Sequence, residues 1–101
     1  DLDHNLENVV YNELLYMGYE LKVFTNNGKE IDFLASKDNK IFYVQVAYSV
    51  ADEKAYEREM SAFDNLDNRN QKVLITNDIV DYSTSVVRHI KFEEFLMMEE
   101  L

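Results

Sequence analysis

EIDFLASKDNKIFYVQVAY, residues 30–48, decides the fold. EIDFLAS (30–36) and IFYVQVAYSV (41–50) are dense in branched and aromatic residues, and the polar KDNK (37–40) between them reads as a turn, so the stretch predicts a hairpin. With 37–40 as the whole turn, Asp32 lies directly opposite Gln45. Facing residues share one side of a sheet, with Cβ atoms ~5 Å apart. Ala47 lies two residues further along that same face. The length and apolar character of 41–50 place this strand centrally in its sheet.

Working outward, DLDHNLENVVYNELLYMGYE (1–20) carries Leu6, Val9, Val10, Leu14, Leu15 and Met17 at helical spacing. It predicts a helix over about 4–17, with Asp3 capping the start and Gly18 taking the left-handed conformation that ends it. YELKVFT (19–25) is a strand, and Asn27-Gly28 turns it back into EIDFLAS, because both residues tolerate positive φ. Three strands of an antiparallel meander follow. DEKAYEREMSAFDNL (52–66) is a second helix, capped by Asp52 or Ser49, with Ala55, Tyr56, Met60 and Phe63 at helical spacing. QKVLITND (71–78) is a strand that a connection of this kind returns parallel to its predecessor. IVDYSTS (79–85) reads either as loop or as edge strand, VVRHI (86–90) as a last strand, and KFEEFLMMEEL (91–101) as a terminal helix with Phe92, Phe95, Leu96 and Met98 or Leu101 inward. The order α-β-β-β-α-β-(β)-α gives an α/β or α+β fold, a mixed central sheet with flanking helices around a single core.

One domain spanning 1–101 is what 101 residues with 47% hydrophobic content can support. The absence of cysteine rules out disulfides and thiolate zinc sites and leans the chain towards the cytosol. His4 and His89 have no ligand-like spacing and read as surface or core residues. No apolar run approaches the ~20 residues of a membrane span, and the start at Asp1 suggests a segment of a longer protein. Ten Lys and Arg against twenty Asp and Glu give a net charge of −10, which repels a phosphate backbone. The sparse basic residues fall in two places, Arg69 with Lys72 and Arg88 with Lys91.

The segments LENVVYNELLYMGYE, GKEIDFLA, FYVQVAYS, EKAYEREMSAFDNL, KVLITND and HIKFEEFL, in this order and spacing, resemble the C-terminal domain of unknown function attached to many bacterial and archaeal AAA+ type ATPases. With Glu7, Asp32 and VQVAYS they also resemble the PD-(D/E)XK, restriction-endonuclease-like fold. The likeness covers nearly the whole chain. In active members of that fold a helical glutamate, an aspartate and a second acid hold Mg2+ or Mn2+, and a lysine positions the attacking water. The resemblance puts Glu7 at the helical acid, Asp32 at the aspartate, Gln45 at the second acid and Ala47 at the lysine. Gln45 offers a metal an uncharged carbonyl and Ala47 offers nothing, so the stretch keeps a nuclease scaffold without two of its working parts.

Lys54 or Arg58 on the second helix could replace the missing lysine, but DEKAYERE alternates charge as a salt-bridged solvated face does. Asp32 and Gln45 read equally as a structural polar pair at a sheet end. No Gly-x-Ser-x-Gly elbow supports a serine hydrolase, and two glycines, Gly18 and Gly28, cannot build a phosphate-cradling loop. Tyr11, Tyr43, Tyr48 and Tyr56 read as core rather than as a base-stacking platform. The expected function is a non-catalytic accessory or interaction domain of an AAA+ type ATP-binding protein, its partner that ATPase or another protein, with ATP bound elsewhere in the parent. The alternative is a weak metal-dependent nuclease or nucleic-acid-binding module using Glu7, Asp32 and Gln45 with Mg2+ or Mn2+. Nucleic acid is a disfavoured partner for the isolated domain, and a membrane is not expected.

Overall fold

A computed structural model describes all residues, 1–101. Its elements run α1 (Leu2–Tyr16), β1 (Glu20–Asn26), β2 (Lys29–Lys37), β3 (Lys40–Val46), α2 (Glu53–Ser61), β4 (Gln71–Thr76), β5 (Val87–Lys91) and α3 (Phe92–Phe95). The five strands form one sheet in the order β1-β2-β3-β4-β5. β1, β2 and β3 are antiparallel neighbours, whereas β3, β4 and β5 run parallel. The fold is therefore mixed α+β with flanking helices, and β3 is central as its composition predicted.

Both hairpins follow from turn chemistry. Asn27 and Gly28 take φ of 49° and 79°, and Asp38 and Asn39 take 52° and 65°. Two consecutive left-handed residues match the twist of the flanking strands, and Asn, Asp and Gly enter that region at least cost. The β2–β3 register, Phe33↔Val44 through Lys37↔Lys40, is the one that sets Asp32 against Gln45. At the end of α1, Gly18 has φ 98°, its N–H donates to Leu15 O, and Tyr19 N–H donates to Leu14 O. These two bonds satisfy carbonyls that the last helical turn leaves open.

The interior divides into two apolar clusters, one on each face of the sheet, rather than the single core expected. On one face Leu6, Val10 and Leu14 of α1 pack with Phe33, Val44, Ile75 and Phe95. Fully burying each Leu or Val there contributes roughly 1.5–3 kcal/mol. On the other face Ile31, Tyr43, Ala47 and Leu74 pack with Phe63, and Tyr56 and Met60 of α2 cover them in part.

Several boundaries differ from the sequence reading. Asp1, not Asp3, caps α1, accepting from His4 N–H at 2.8 Å; Asp3 instead accepts from Tyr48 N–H at 2.7 Å and ties α1 to the chain after β3. Asp52 is the cap of α2. That helix stops at Ser61, before Phe63. Residues 79–85 contain no strand. The terminal helix is a single turn, because one turn already buries Phe95 and the following chain can place Met98 and Leu101 against the core without being helical. Leu96 is exposed, contrary to expectation. Of the four tyrosines read as core, Tyr43 is buried and Tyr56 half-buried, while Tyr11 and Tyr48 remain exposed. No helix is long and apolar enough to cross a membrane.

Candidate functional site

The site begins with an irregularity. β1 and β2 pair in step from Glu20↔Ser36 to Lys22↔Leu34, then resume at Phe24↔Ile31. Val23 thus faces two residues, Asp32 and Phe33, which is a β-bulge in β2. The bulge breaks the alternation of the strand: Ile31 joins the cluster beneath α2, although Phe33 and Ala35 belong to the cluster beneath α1. Asp32 sits at the break, where the regular β2–β3 ladder ends at Phe33↔Val44.

Side chains take over from the ladder there. Asp32 N–H donates to Gln45 Oε1 at 2.7 Å. Val46 N–H donates to Asp32 Oδ2 at 2.8 Å. Each strand thus supplies a side-chain oxygen for a backbone N–H of the other. Gln45, 4% exposed, turns its amide nitrogen to α2, where Nε2 donates to Glu59 Oε1 at 3.1 Å and approaches Glu59 O at 3.4 Å. Every hydrogen-bonding group of the Gln45 amide is turned to a protein partner, as burial demands.

The surroundings are acidic. Burial pushes the Asp32 carboxyl up to about 7, the Val46 N–H opposing and Glu7, Glu59 and Glu30 adding to the rise. Burial also raises Glu59; Arg58 opposes it, and Asp3 and Glu7 reinforce it. Arg58 Nε lies 3.4 Å from Glu59 Oε2. An open cleft of about 330 Å³ reaches these groups, bordered by Lys29, Asp32, Gln45, Arg58, Glu59 and Ser61 among others. Lys29 Nζ donates to Ser61 Oγ at 2.7 Å across its mouth.

Of the residues predicted for the site, Asp32 and Gln45 are joined directly. Glu7 on α1 is half-buried and close enough to raise both Asp32 and Glu59 electrostatically, but it hydrogen-bonds to neither. Ala47 is 1% exposed and packed in the cluster beneath α2. Of the two candidate replacement cations, Arg58 borders the cleft, whereas Lys54 is exposed and does not. Glu59 was missed: DEKAYERE reads as a solvated face, yet Glu59 neighbours Met60 and follows Tyr56 by one turn, and these mark the inward side. Gln45 Oε1 and Asp32 Oδ2 are both engaged by backbone N–H groups. No group of three or more His, Asp or Glu side chains is arranged to hold a metal ion. Hard divalent cations take several oxygen ligands, favouring carboxylates. This donor set does not fit one.

A second polar network lies at the carboxyl ends of β3 and β4, where His89 of β5 joins it. Tyr82 N–H donates to His89 Nδ1 at 3.0 Å, so the imidazole proton is on Nε2, 2.8 Å from Thr76 Oγ1. The Thr76 hydroxyl donates onward to Asp78 Oδ2 at 2.8 Å, and Ser49 Oγ and Val50 N–H also bond Asp78. Burial pushes the Asp78 carboxyl up, but these donors and His89 outweigh it and hold it below its ordinary value. The His89 side chain has no exposed surface, in keeping with a core residue, and the network pins the 77–83 loop to the sheet.

Fold and site together define a small α+β domain with a five-stranded mixed sheet and a polar clasp where β2 and β3 separate. The chain belongs to the family described as Domain of unknown function (DUF4143), whose model matches residues 3–95. It is 38% identical over 73 residues to an uncharacterized protein of Haemophilus influenzae; the match covers 72% of this chain and 18% of that protein. The chain thus spans less than a fifth of the length of the curated relative it matches. No solved structure matches it.

Proposed function

We propose that this chain is a non-catalytic accessory domain of an AAA+ type ATP-binding protein, a degenerate PD-(D/E)XK nuclease-like domain that contacts its own ATPase portion or another protein in the cytoplasm. The observation that carries this reading is the use of Asp32 and Gln45 as partners for each other's strands. Side chains at the positions of metal ligands serve as hydrogen-bond acceptors within the sheet, and Ala47 at the lysine position is buried in apolar surroundings.

Three further points support it. Domains of this family are commonly found with AAA ATPases. The matched region is a small part of a much longer relative. Gly18 and Gly28 both serve in turns, so nucleotide binding by a glycine-rich loop falls to another part of the parent protein.

Incubating the domain and its Asp32→Ala variant with supercoiled plasmid DNA and Mn2+ tests the reading. The expected result is no nicking above background in either protein. Nicking by the native domain that the substitution abolishes would overturn the proposal in favour of a metal-dependent nuclease.

A further inference from the structure

α1 has two apolar stripes, and the sheet uses one of them. Leu6, Val10, Leu14 and the capping Met17 form the first, and all four are buried in the cluster beneath the helix. On the outward side Leu2, Asn5, Val9, Asn12 and Tyr16 follow one another at intervals of three, four, three and four residues. At 3.6 residues per turn such intervals keep the five side chains on one line along the helix. All five are exposed, Leu2 at 59% and Tyr16 at 89%.

This line carries no Asp, Glu, Lys or Arg, although residues of those types make up 30% of the chain. The charged residues of α1 stand beside the buried stripe instead: Asp3 holds Tyr48 N–H, and Glu7 and Glu13 are half-buried. In the same molecule α2 presents Glu53, Lys54, Glu57 and Arg58 to solvent, as a helix face in contact with water does. Single exposed apolar residues are ordinary, but a continuous line of them rimmed by polar groups marks a contact surface.

The alternating three and four spacing is that of a seam where one helix meets another. Charge decides which helix fits. A chain of net charge −10 repels its own copies over most of its surface, so two copies approach best where neither presents a charge. A basic partner would be selected by acidic side chains at the contact, and this line has none. A two-fold contact also requires a patch that complements itself. Leu2 and Tyr16 lie seven residues to either side of Val9, so antiparallel pairing centred on Val9 lays Leu2 against Tyr16 of the second copy. The same pairing brings Asn5 near Asn12 of that copy, and the two amides are donors and acceptors for each other.

We propose that α1 is the contact of a symmetric dimer of this chain, with two copies of the helix packed antiparallel about Val9. A helix of 15 residues is about 22 Å long, which puts the contact at the small end of specific interfaces and makes the dimer weak and concentration-dependent. Asparagines within such a seam cost stability and fix its register. The dimer goes beyond the accessory-domain reading and does not rest on it, because no residue of the line takes part in the hydrogen bonds of the Asp32 clasp. A monomeric chain would leave that reading standing.

Sedimentation equilibrium of the 101-residue chain, from micromolar to millimolar concentration, tests the assignment. The expected result is a mass that climbs from one chain towards two, with association strengthened by added salt as screening relieves the repulsion between copies. Val9→Glu and Val9→Lys, each setting like charges face to face, should weaken association by about tenfold or more, and an equimolar mixture of the two variants should recover it. Lys54→Gln on the exposed side of α2 should change nothing. Tyr16→Glu, at the 89% exposed position, should weaken association without disturbing the core, so the proposal stays testable if substitution of Val9 impairs folding. A single-chain mass at every concentration, undiminished association in Tyr16→Glu, no recovery in the mixture, or weakening by salt would overturn the proposal.

Discussion

Asp32 and Gln45 exchange backbone for side-chain hydrogen bonds: the N–H of Asp32 is held by Gln45 Oε1, while Asp32 Oδ2 holds the N–H of Val46, next to Gln45. The exchange lies where the regular β2–β3 ladder stops. It leaves a buried acid among acids, because Glu7 and Glu59 approach from the two helices. The cost of keeping that carboxylate charged, and the benefit of its hydrogen bonds, define the first two predictions.

Asp32→Asn should stabilise the domain at alkaline pH. The folded carboxyl sits at about 7, above its ordinary 3.8, so folding favours the protonated acid. Its contribution is complete below about pH 4 and is lost as pH rises through 7. Asn keeps an oxygen for Val46 N–H and cannot ionise. Chemical denaturation should find the variant more stable by up to about 4 kcal/mol at pH 8, with the difference fading towards pH 4. An equal difference at both pH values would exclude the titration of Asp32 as its cause.

Gln45→Leu keeps the bulk of the side chain and removes both hydrogen-bonding ends of its amide. It leaves Asp32 N–H without its acceptor and takes a donor from Glu59. A loss of about 1–3 kcal/mol is expected, the cost of an unsatisfied group in a partly buried setting. Urea denaturation at pH 7 measures it, and a loss below a few tenths would show that Gln45 is merely space-filling.

Acid should loosen the 79–85 loop through His89. Burial holds the imidazole below its ordinary 6.5; Asp81 and Asp78 oppose that effect, Lys91 adds to it and Glu94 opposes it. Because the folded value is depressed, its stabilising contribution is present above 6.5 and is lost as pH falls through the folded value. Protonation at Nδ1 displaces the Tyr82 N–H bond. Exchange of the Tyr82 amide, corrected for intrinsic pH dependence, should accelerate in acid, and His89→Phe should lack this transition while being less stable throughout.

The sequence revealed most where local chemistry left few options. Asn27-Gly28 and Asp38-Asn39 each place side chains that tolerate positive φ at a turn, and the second fixed the register that sets Asp32 against Gln45. The bulge at Asp32 and Phe33 was not legible, because branched and aromatic residues fit either side of such a strand and only β1 pairing exposes the extra residue. Glu59 was hidden by the charge pattern of its helix. The terminal segment misled because helical spacing of Phe92, Phe95 and Met98 is met equally by one turn and a docked tail, whose Leu101 N–H reaches Tyr19 Oη at 2.9 Å.

Calorimetric titration of Mn2+ into the native domain and into Asp32→Ala tests the central claim most directly. A clasp in which Gln45 Oε1 and Asp32 Oδ2 already accept backbone N–H groups, with no set of three acids arranged around it, predicts no saturable heat at micromolar metal in either protein. Micromolar binding to the native domain that disappears in Asp32→Ala would contradict it, and would mean that Glu7, Asp32 and Gln45 still assemble a metal site.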